Sequence, residues 1–334
     1  MKVLDSSHSE AIAEAARIIR EGGLVAFPTE TVYGLGADAC NPMAVARIFE
    51  VKRRPRIDPI IVHVASAESA RLYGRFPDNL ANLLMSRFWP GPLTLVVPRD
   101  ARVPPIVTAG LDTVAIRMPA HPAALALIRA SDRALAAPSA NPFGSVSPTE
   151  ARHVADQLSD QIDLILDGGR CTVGIESTVL SLTGPVPRIL RAGGLPAEAI
   201  RDVVGELEWS MDSSDRPEAP GQMERHYATL TPLEVLEEGN PEARPQSGER
   251  VGLLSLTDPG CGCPYAAVEV LSPSGDMREA AANLFAALHR LDRLKLDRLV
   301  AFTLPERGLG VAIMDRLRRC AVRGSSSRGP GIKR

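Results

Sequence analysis

The chain has 334 residues, a formal net charge of -2 and 45% hydrophobic residues, with aromatics at only 4%. That length predicts two domains on a prior of roughly 150 residues each, and the near-neutral charge excludes a chain that is basic throughout. Scarce aromatics exclude a stacking platform for single-stranded nucleic acid; no apolar run has bilayer-spanning length, and five scattered cysteines, an odd number, exclude a disulfide framework. A reduced, cytoplasmic protein with no signal peptide and no membrane association is expected.

The first 205 residues alternate helices and strands. Ser9 is placed to cap a helix whose Ile12, Ala16 and Ile19 recur at helical spacing, with Gly22-Gly23 ending it. Residues 24–27 read as a strand. Gly34-Leu-Gly36-Ala-Asp38-Ala39 mimics a dinucleotide fingerprint, but no helix follows at once and no acidic residue stands in the required place, so it reads as a tight turn. Asn41 and Pro42 are a cap and a first-turn proline for a helix to about Glu50. The stretch VKRRPRIDPIIVHV (51–64) then sets Lys52, Arg53, Arg54 and Arg56 before an apolar strand. Such a run fits a solvated face. Its place at the edge of an α/β sheet also fits a polyphosphate clamp, for which arginine offers a planar fork and lysine a point charge, or an RNA-backbone patch. Pro55 and Pro59 stiffen the segment.

Strands are expected at 60–64, 93–97, 114–118, 134–137, 162–166 and 178–182. Most are near-continuous apolar runs, as in sheets covered on both faces. His63, inside one of them, reads as a satisfied core histidine. Pro138-Ser139-Ala140-Asn141 reads as a turn, and Ser147-Pro148-Thr149-Glu150 as a capping box. Glu176 at a strand mouth fits a base or a paired acid. No Gly-Lys-Ser/Thr phosphate loop is present, so any nucleotide must be held otherwise.

Residues 210–226 lack hydrophobic periodicity and read as a linker. A second α/β block follows, with strands at 251–256, 267–271 and 299–304. Asp276 caps a helix carrying Met277, Ala281, Leu284, Leu288 and Leu291, and a last helix spans about 310–321. Cys261-Gly-Cys263 has no second cysteine pair at ligand spacing and reads as a loop. From Arg316 to the end there are seven cations and no acid, which suits a frayed basic tail or a weak tRNA contact.

Taken in order, GGLVAFPTETVYGLGADA (22–39), Lys52-x-Arg54 leading to PIIVHV, FWPGPLT (88–94), VAIRMPAHP (114–122), PSAN (138–141), GIESTV (174–179) and RILRAGG (188–194) resemble the threonylcarbamoyl-AMP synthase family, the YrdC-like proteins. Pro220-Gly221, Arg225-His226-Tyr227 and GLGVAIMDRLRR resemble the linker and second domain of its two-domain branch. The resemblance implies a twisted open α/β sheet with helices over residues 1–208, a linker or lid over 209–230, a smaller Rossmann-like α/β domain over 231–323, and a basic tail over 324–334. It implies synthesis of threonylcarbamoyl-adenylate and pyrophosphate from L-threonine, bicarbonate and ATP. The adenylate would feed a downstream tRNA threonylcarbamoyl transferase machinery that modifies adenosine in tRNA.

Carried to matching positions, Lys52 and Arg54 would act in catalysis. Thr31, His63, Arg117, Ala137 (through its backbone) and Ser177 would hold threonine. Arg54, Asp58, Thr113, Ser139, Asn141, Ser147, Arg191, His226 and Tyr227 would surround ATP, with Mg²⁺ held mainly by the ATP phosphates and no metal site in the protein. Arg53 replaces a common glycine, Asp58 a usual asparagine and Ile60 a usual leucine. No protein nucleophile is required, because a carbamate oxygen attacks the α-phosphorus and catalysis is positioning plus charge neutralisation. Two other readings fit parts of the pattern: an RNA-binding module with a basic groove and no catalysis, and a carbamoyltransferase for metal-centre maturation. The zinc-finger cysteine pairs of the latter are missing here.

Overall fold

The computed structural model describes residues 2–210, 217–220, 227–260 and 262–321. The first unit runs β1 (Lys2–Asp5), α1 (Ser9–Arg20), β2 (Val25–Phe27), β3 (Gly34–Asp38), α2 (Pro42–Lys52), β4 (Val62–His63), α3 (Ala67–Ala70), α4 (Asp78–Phe88), β5 (Leu93–Pro98), β6 (Thr113–Arg117), α5 (Pro122–Ser131), β7 (Leu135–Ala136), α6 (Ala151–Leu158), β8 (Leu164–Asp167), β9 (Thr178–Ser181), β10 (Arg188–Arg191), α7 (Ala197–Val204) and β11 (Glu208–Trp209). Its strands form one mixed sheet in the order β1-β8-β2-β3-β7-β4-β6-β5-β9-β10-β11. The second unit holds β12 (Leu233–Leu236), β13 (Val251–Ser255), β14 (Ala267–Val270), α8 (Met277–Asp292), β15 (Arg298–Phe302) and α9 (Leu309–Ala321). Its four strands are parallel, in the order β12-β15-β13-β14.

The mixed α/β class, the open sheet and the smaller second sheet match the expectation. Local readings shift where packing overrides pattern. Residues 34–39 are not a turn: Gly34–Asp38 is strand β3, paired antiparallel with β2 through Val25 and Gly36. Its glycines make room for a ring, since a Cβ on Gly36 would stand 2.7 Å from the edge of Phe27. Ser9 is the first helical residue, not the cap; His8 holds that position without a side-chain bond. The capping box at 147–150 does not form, because α6 starts at Ala151 and the Ser147 hydroxyl bonds elsewhere. Strands β1, β10, β11 and β12 carry too few apolar residues in alternation to have been read from the sequence.

Helix α2 forms as expected. Asn41 Oδ1 accepts from the amides of Met43 and Ala44 at 3.0 and 3.2 Å, and Pro42 opens the first turn. It ends where Arg53 takes a left-handed conformation, φ 52°, so that Lys52 and Arg54 both point inward while Arg53 stays exposed. The main core lies between the sheet and α2, α4, α6 and α7, and a second core lies under α1 and α5. A third belongs to both units. Val32, Val146, Ile175 and Ala192 of the first pack with Tyr227 and with Leu284, Phe285, Leu288, Ile313 and Leu317 of α8 and α9. Gly174, φ 74°, lies so close to α8 that a Cβ there would stand 2.4 Å from the Cα of Ala282.

Candidate active site

Strand pairing gathers the expected residues on one face of the large sheet. Parallel β4 and β6 place His63 opposite Arg117. Parallel β5 and β9 set Leu93 beside Thr178, directly after Ser177, and antiparallel β10 returns Arg191 beside Val179. At the other end of β4, the amide of Ala137 donates to the carbonyl of Ile61 at 3.0 Å. One cavity results, walled by Thr31, Val32, Arg54, His63, Arg117, Ala137, Ser139, Glu176, Ser177, Arg191, Pro220 and Tyr227.

All five residues expected for threonine border this cavity. Arg117 is buried and anchored on three sides. Its Nη2 bonds Glu30 Oε1 at 2.5 Å, Nη1 donates to Thr31 Oγ1 at 2.9 Å, and Nε donates to the carbonyl of Gly91 at 3.1 Å. Glu30 in turn accepts from the amide of Ala120, so the guanidinium is fixed before any ligand arrives. Burial, aided by the charge of Arg117, pushes His63 down to about 3. The ring is therefore neutral at physiological pH, with Nδ1 3.3 Å from the carbonyl of Ile61. Ser177 Oγ shares a 2.7 Å hydrogen bond with Thr94 Oγ1 and accepts from Arg191 at 3.2 Å.

The nucleotide residues divide. Arg54, Ser139, Arg191 and Tyr227 line the cavity. Arg54 donates to the carbonyls of Asp58 and Pro59 at 3.1 and 2.7 Å and pairs with Asp58 Oδ2 at 2.9 Å. Asp58 is wholly buried, and burial raises its carboxyl pKa against the pull of Arg54. Lys52 is not on the wall. Its Nζ donates to the carbonyls of Ser139 and Asn141 at 2.6 and 2.5 Å, holding the 138–141 loop from beneath, and burial lowers its pKa well below the usual lysine value. Asn141 ties the same loop through Nδ2 to the carbonyls of Pro142 and Ser145. Ser147 Oγ donates to Glu176 Oε1 at 2.6 Å, behind the wall. Thr113 is half-buried at the start of β6, on the face Arg117 shares by alternation, but does not reach the cavity. His226 lies outside the described residues.

The basic run thus separates into buried Lys52 and Arg54 and exposed Arg53 and Arg56, which leaves little outward charge for an RNA groove. Among the described residues no group of three His, Cys, Asp or Glu side chains could hold a metal. The nearby carboxylates Asp58 and Glu176 are each paired with an arginine. Three participants escaped the sequence reading. Glu30 sits within PTET without a spacing that marks it; Pro220 accepts from Arg191 Nη1 at 3.0 Å; and Arg316 of α9 bonds Glu176 from the other unit. No helix among the described residues is long and apolar enough to cross a membrane.

Residues 17–193 match the family model described as "Telomere recombination", and residues 195–322 match that of the "Threonylcarbamoyl-AMP synthase, C-terminal domain". The chain is 46% identical to a threonylcarbamoyl-AMP synthase of Pyrococcus abyssi, over 92% of this chain and 93% of that one. It is 45% identical to that of Bacillus subtilis, over 95% and 94%. Its fold superposes on the crystal structure of P. abyssi Sua5 complexed with L-threonine with a TM-score of 0.88, at 43% identity, covering 96% of this chain and 97% of the other.

Proposed function

This chain belongs to the threonylcarbamoyl-AMP synthase family, and from that premise we propose that it makes threonylcarbamoyl-adenylate and pyrophosphate from L-threonine, bicarbonate and ATP. The observation that carries the reading is the meeting of two chemistries in one cavity. Its wall carries Thr31, neutral His63, Arg117 and Ser177 together with Arg54, Ser139 and Arg191, the last in direct contact with Ser177. Arg117 would pair the threonine carboxylate, as a preset guanidinium suits a planar anion. His63, Thr31 and Ser177 would face the hydroxyl and the carbamate, beside the Ala137 backbone.

ATP would lie along Arg54, Ser139 and Arg191, with Asn141, Ser147 and Lys52 shaping that wall from behind and Asp58 fixing Arg54. Thr113 would border the outer part of the nucleotide, and Tyr227, with His226, would close over it. In the reaction a carbamate oxygen forms a bond to the α-phosphorus while the bond to the bridging oxygen of pyrophosphate breaks. Both electrons of that bond leave with pyrophosphate. Arg54 and Arg191 would offset the charge growing there. Mg²⁺ would enter on the ATP phosphates, consistent with carboxylates already spent on arginines; Mg²⁺ typically takes one or two carboxylates plus substrate phosphates.

Residues 1–208 would form the catalytic unit, 209–230 the linker or lid, 231–323 the second domain and 324–334 a basic tail. Among the described residues Cys40, Cys171, Cys263 and Cys320 are free thiols, which would suit a reducing cytoplasm, and the product would pass to a tRNA threonylcarbamoyl transferase machinery. The test is pyrophosphate release from ATP with threonine and bicarbonate each withheld in turn. Release should require both, with serine slower. Equal release without amino acid would reduce the site to nucleotide hydrolysis.

A further inference from the structure

Glu176 borders the cavity, and its two carboxylate oxygens are held from opposite sides. Ser147 Oγ donates to Oε1 at 2.6 Å, and Arg316 Nε donates to Oε2 at 3.1 Å. Arg316 comes from α9 in the second unit and is wholly buried. Its Nη1 donates at 2.7 Å to the carbonyl of Ala192, the residue after Arg191. Its guanidinium carbon lies 5.5 Å from the ring centre of Tyr227. One side chain of the second unit therefore touches three separate segments of the cavity wall without entering the cavity.

We propose that Arg316 is a positioning residue for ATP binding, acting through Glu176. The proposal rests on the reading above, in which the triphosphate lies between Arg54 and Arg191. Charge accounting favours it over simple glue between the units. Asp315 Oδ2 also pairs with Arg316, at 3.0 Å, but Asp315 Oδ1 is held by Arg319 at 2.9 Å. If Arg316 is removed, Asp315 keeps a cation and Glu176 loses its ion pair. A lone carboxylate would then face an incoming polyanion from the cavity wall. Glue alone would be served as well by an apolar side chain, because a buried ion pair gains little over a well-packed hydrophobic one. Here a guanidinium is retained although its Nη2 has no partner among the described residues.

Threonine carries no net charge, so it should feel the exposed Glu176 far less than ATP. Arg316→Met is expected to raise the KM for ATP about tenfold or more, through repulsion between the unpaired carboxylate and the triphosphate, while the KM for threonine stays within about twofold. Glu176→Gln removes the carboxylate, so adding Arg316→Met to it should change the ATP KM little; a double-mutant cycle reads this coupling directly. Wild-type enzyme must first show release that requires ATP, threonine and bicarbonate. If it does not, the parent reading fails. If it does, and Arg316→Met leaves the ATP KM unchanged or raises both KM values alike, only the role of Arg316 falls. Should Arg316→Met fail to fold, the comparison of Glu176→Gln with Glu176→Gln/Arg316→Met still decides. Equal ATP KM values support action through Glu176, and a large further rise overturns it.

Discussion

Arg54 and Arg53 are adjacent in sequence and opposite in setting, which makes their alanine variants a direct test of the site. Arg54 lines the cavity with its guanidinium fixed by two carbonyls and by Asp58. Arg53 is exposed in a left-handed conformation at the end of α2. Loss of one charge-assisted phosphate contact costs about 1.5–3 kcal/mol, so Arg54→Ala should lower kcat/KM for ATP roughly ten- to a hundredfold. A second cost falls on stability. Asp58 is wholly buried and Arg54 is its ion-pair partner; stranding a buried charge in this way costs about 3–5 kcal/mol. The variant Arg54→Met with Asp58→Asn removes the stranded carboxylate and separates the two effects: its melting temperature should recover while its ATP kinetics should not. Arg53→Ala should stay within about twofold of wild type, and Arg53→Gly should be more stable by roughly 1 kcal/mol through relief of the left-handed strain. Pyrophosphate release against ATP, at saturating threonine and bicarbonate, is the assay. If Arg53→Ala and Arg54→Ala behave alike, or if the double variant regains full activity, the cluster acts as a diffuse basic patch and the RNA-binding alternative gains.

Burial lowers His63 to about 3 and His153 to about 2. These histidines stay neutral in the fold while the unfolded chain protonates them near 6.5, so stability should fall as pH drops below about 6.5; a urea midpoint that is flat from pH 8 to pH 5 would contradict this. His153→Phe, which keeps the stacking on His289 across the two units, should flatten part of that slope. Gly193→Ala should abolish adenylate formation, because its Cβ would stand 2.3 Å from the carbonyl carbon of Ser177 and 2.4 Å from the carbonyl oxygen of Glu176; a fully active variant would mean that this backbone is not held as described. Ala219 packs with Ile61, Val96, Ala115, Val179 and Leu190 at the sheet face, so Ala219→Asp should loosen segment 217–220 and lower the ratio of adenylate recovered to pyrophosphate released, whereas an unchanged ratio would make that segment a mere tether.

Much of the first unit was legible because many of its strands lie in apolar runs and α2 carries a strong end signal in Asn41-Pro42, as α8 of the second unit does in Asp276. Positions marked by motif, such as Thr31, His63, Arg117 and Ser177, could be carried over residue by residue, and they do line one cavity. What escaped was whatever depends on contacts between distant segments. Gly34 and Gly36 read locally as a turn, since nothing in their neighbourhood says that a phenylalanine ring needs the space a side chain would fill. Ser147 fitted a capping box in sequence, yet its hydroxyl is drawn to Glu176, 29 residues on. Lys52 carries the strongest phosphate-binding pattern in the chain, but its ammonium is spent on loop carbonyls. Arg316 read only as the start of a basic run, because its pairing with Glu176 exists only where α9 meets the wall of the other unit.

The cations around the cavity share one property that bears on how the site works. Each is already satisfied by the protein: Arg117 by Glu30 and Thr31, Arg54 by Asp58, Arg191 by the carbonyls of Ser177 and Pro220, Lys52 by the 138–141 loop. Unpaired, these buried charges would be costly to hold together; paired with carboxylates and carbonyls, they can lie close to one another inside the fold. On the proposed reading, substrate would arrive by exchanging hydrogen-bond partners, and at Arg191 that exchange would reach a neighbouring segment. Arg191 Nη1 holds the carbonyl of Pro220, which lines the cavity, next to Ala219, which packs on the sheet face. A phosphate oxygen taking that donor would weaken the hold on segment 217–220, and an adenylate that left Arg191 free would restore it. On the proposed reading, nucleotide binding and the seating of segment 217–220 would be linked through one guanidinium, and by linkage a change that loosens the segment would also change the affinity for ATP. A carbamate and a mixed anhydride are both easily hydrolysed, so on the proposed reading that coupling would govern whether the intermediate meets water or the second substrate first.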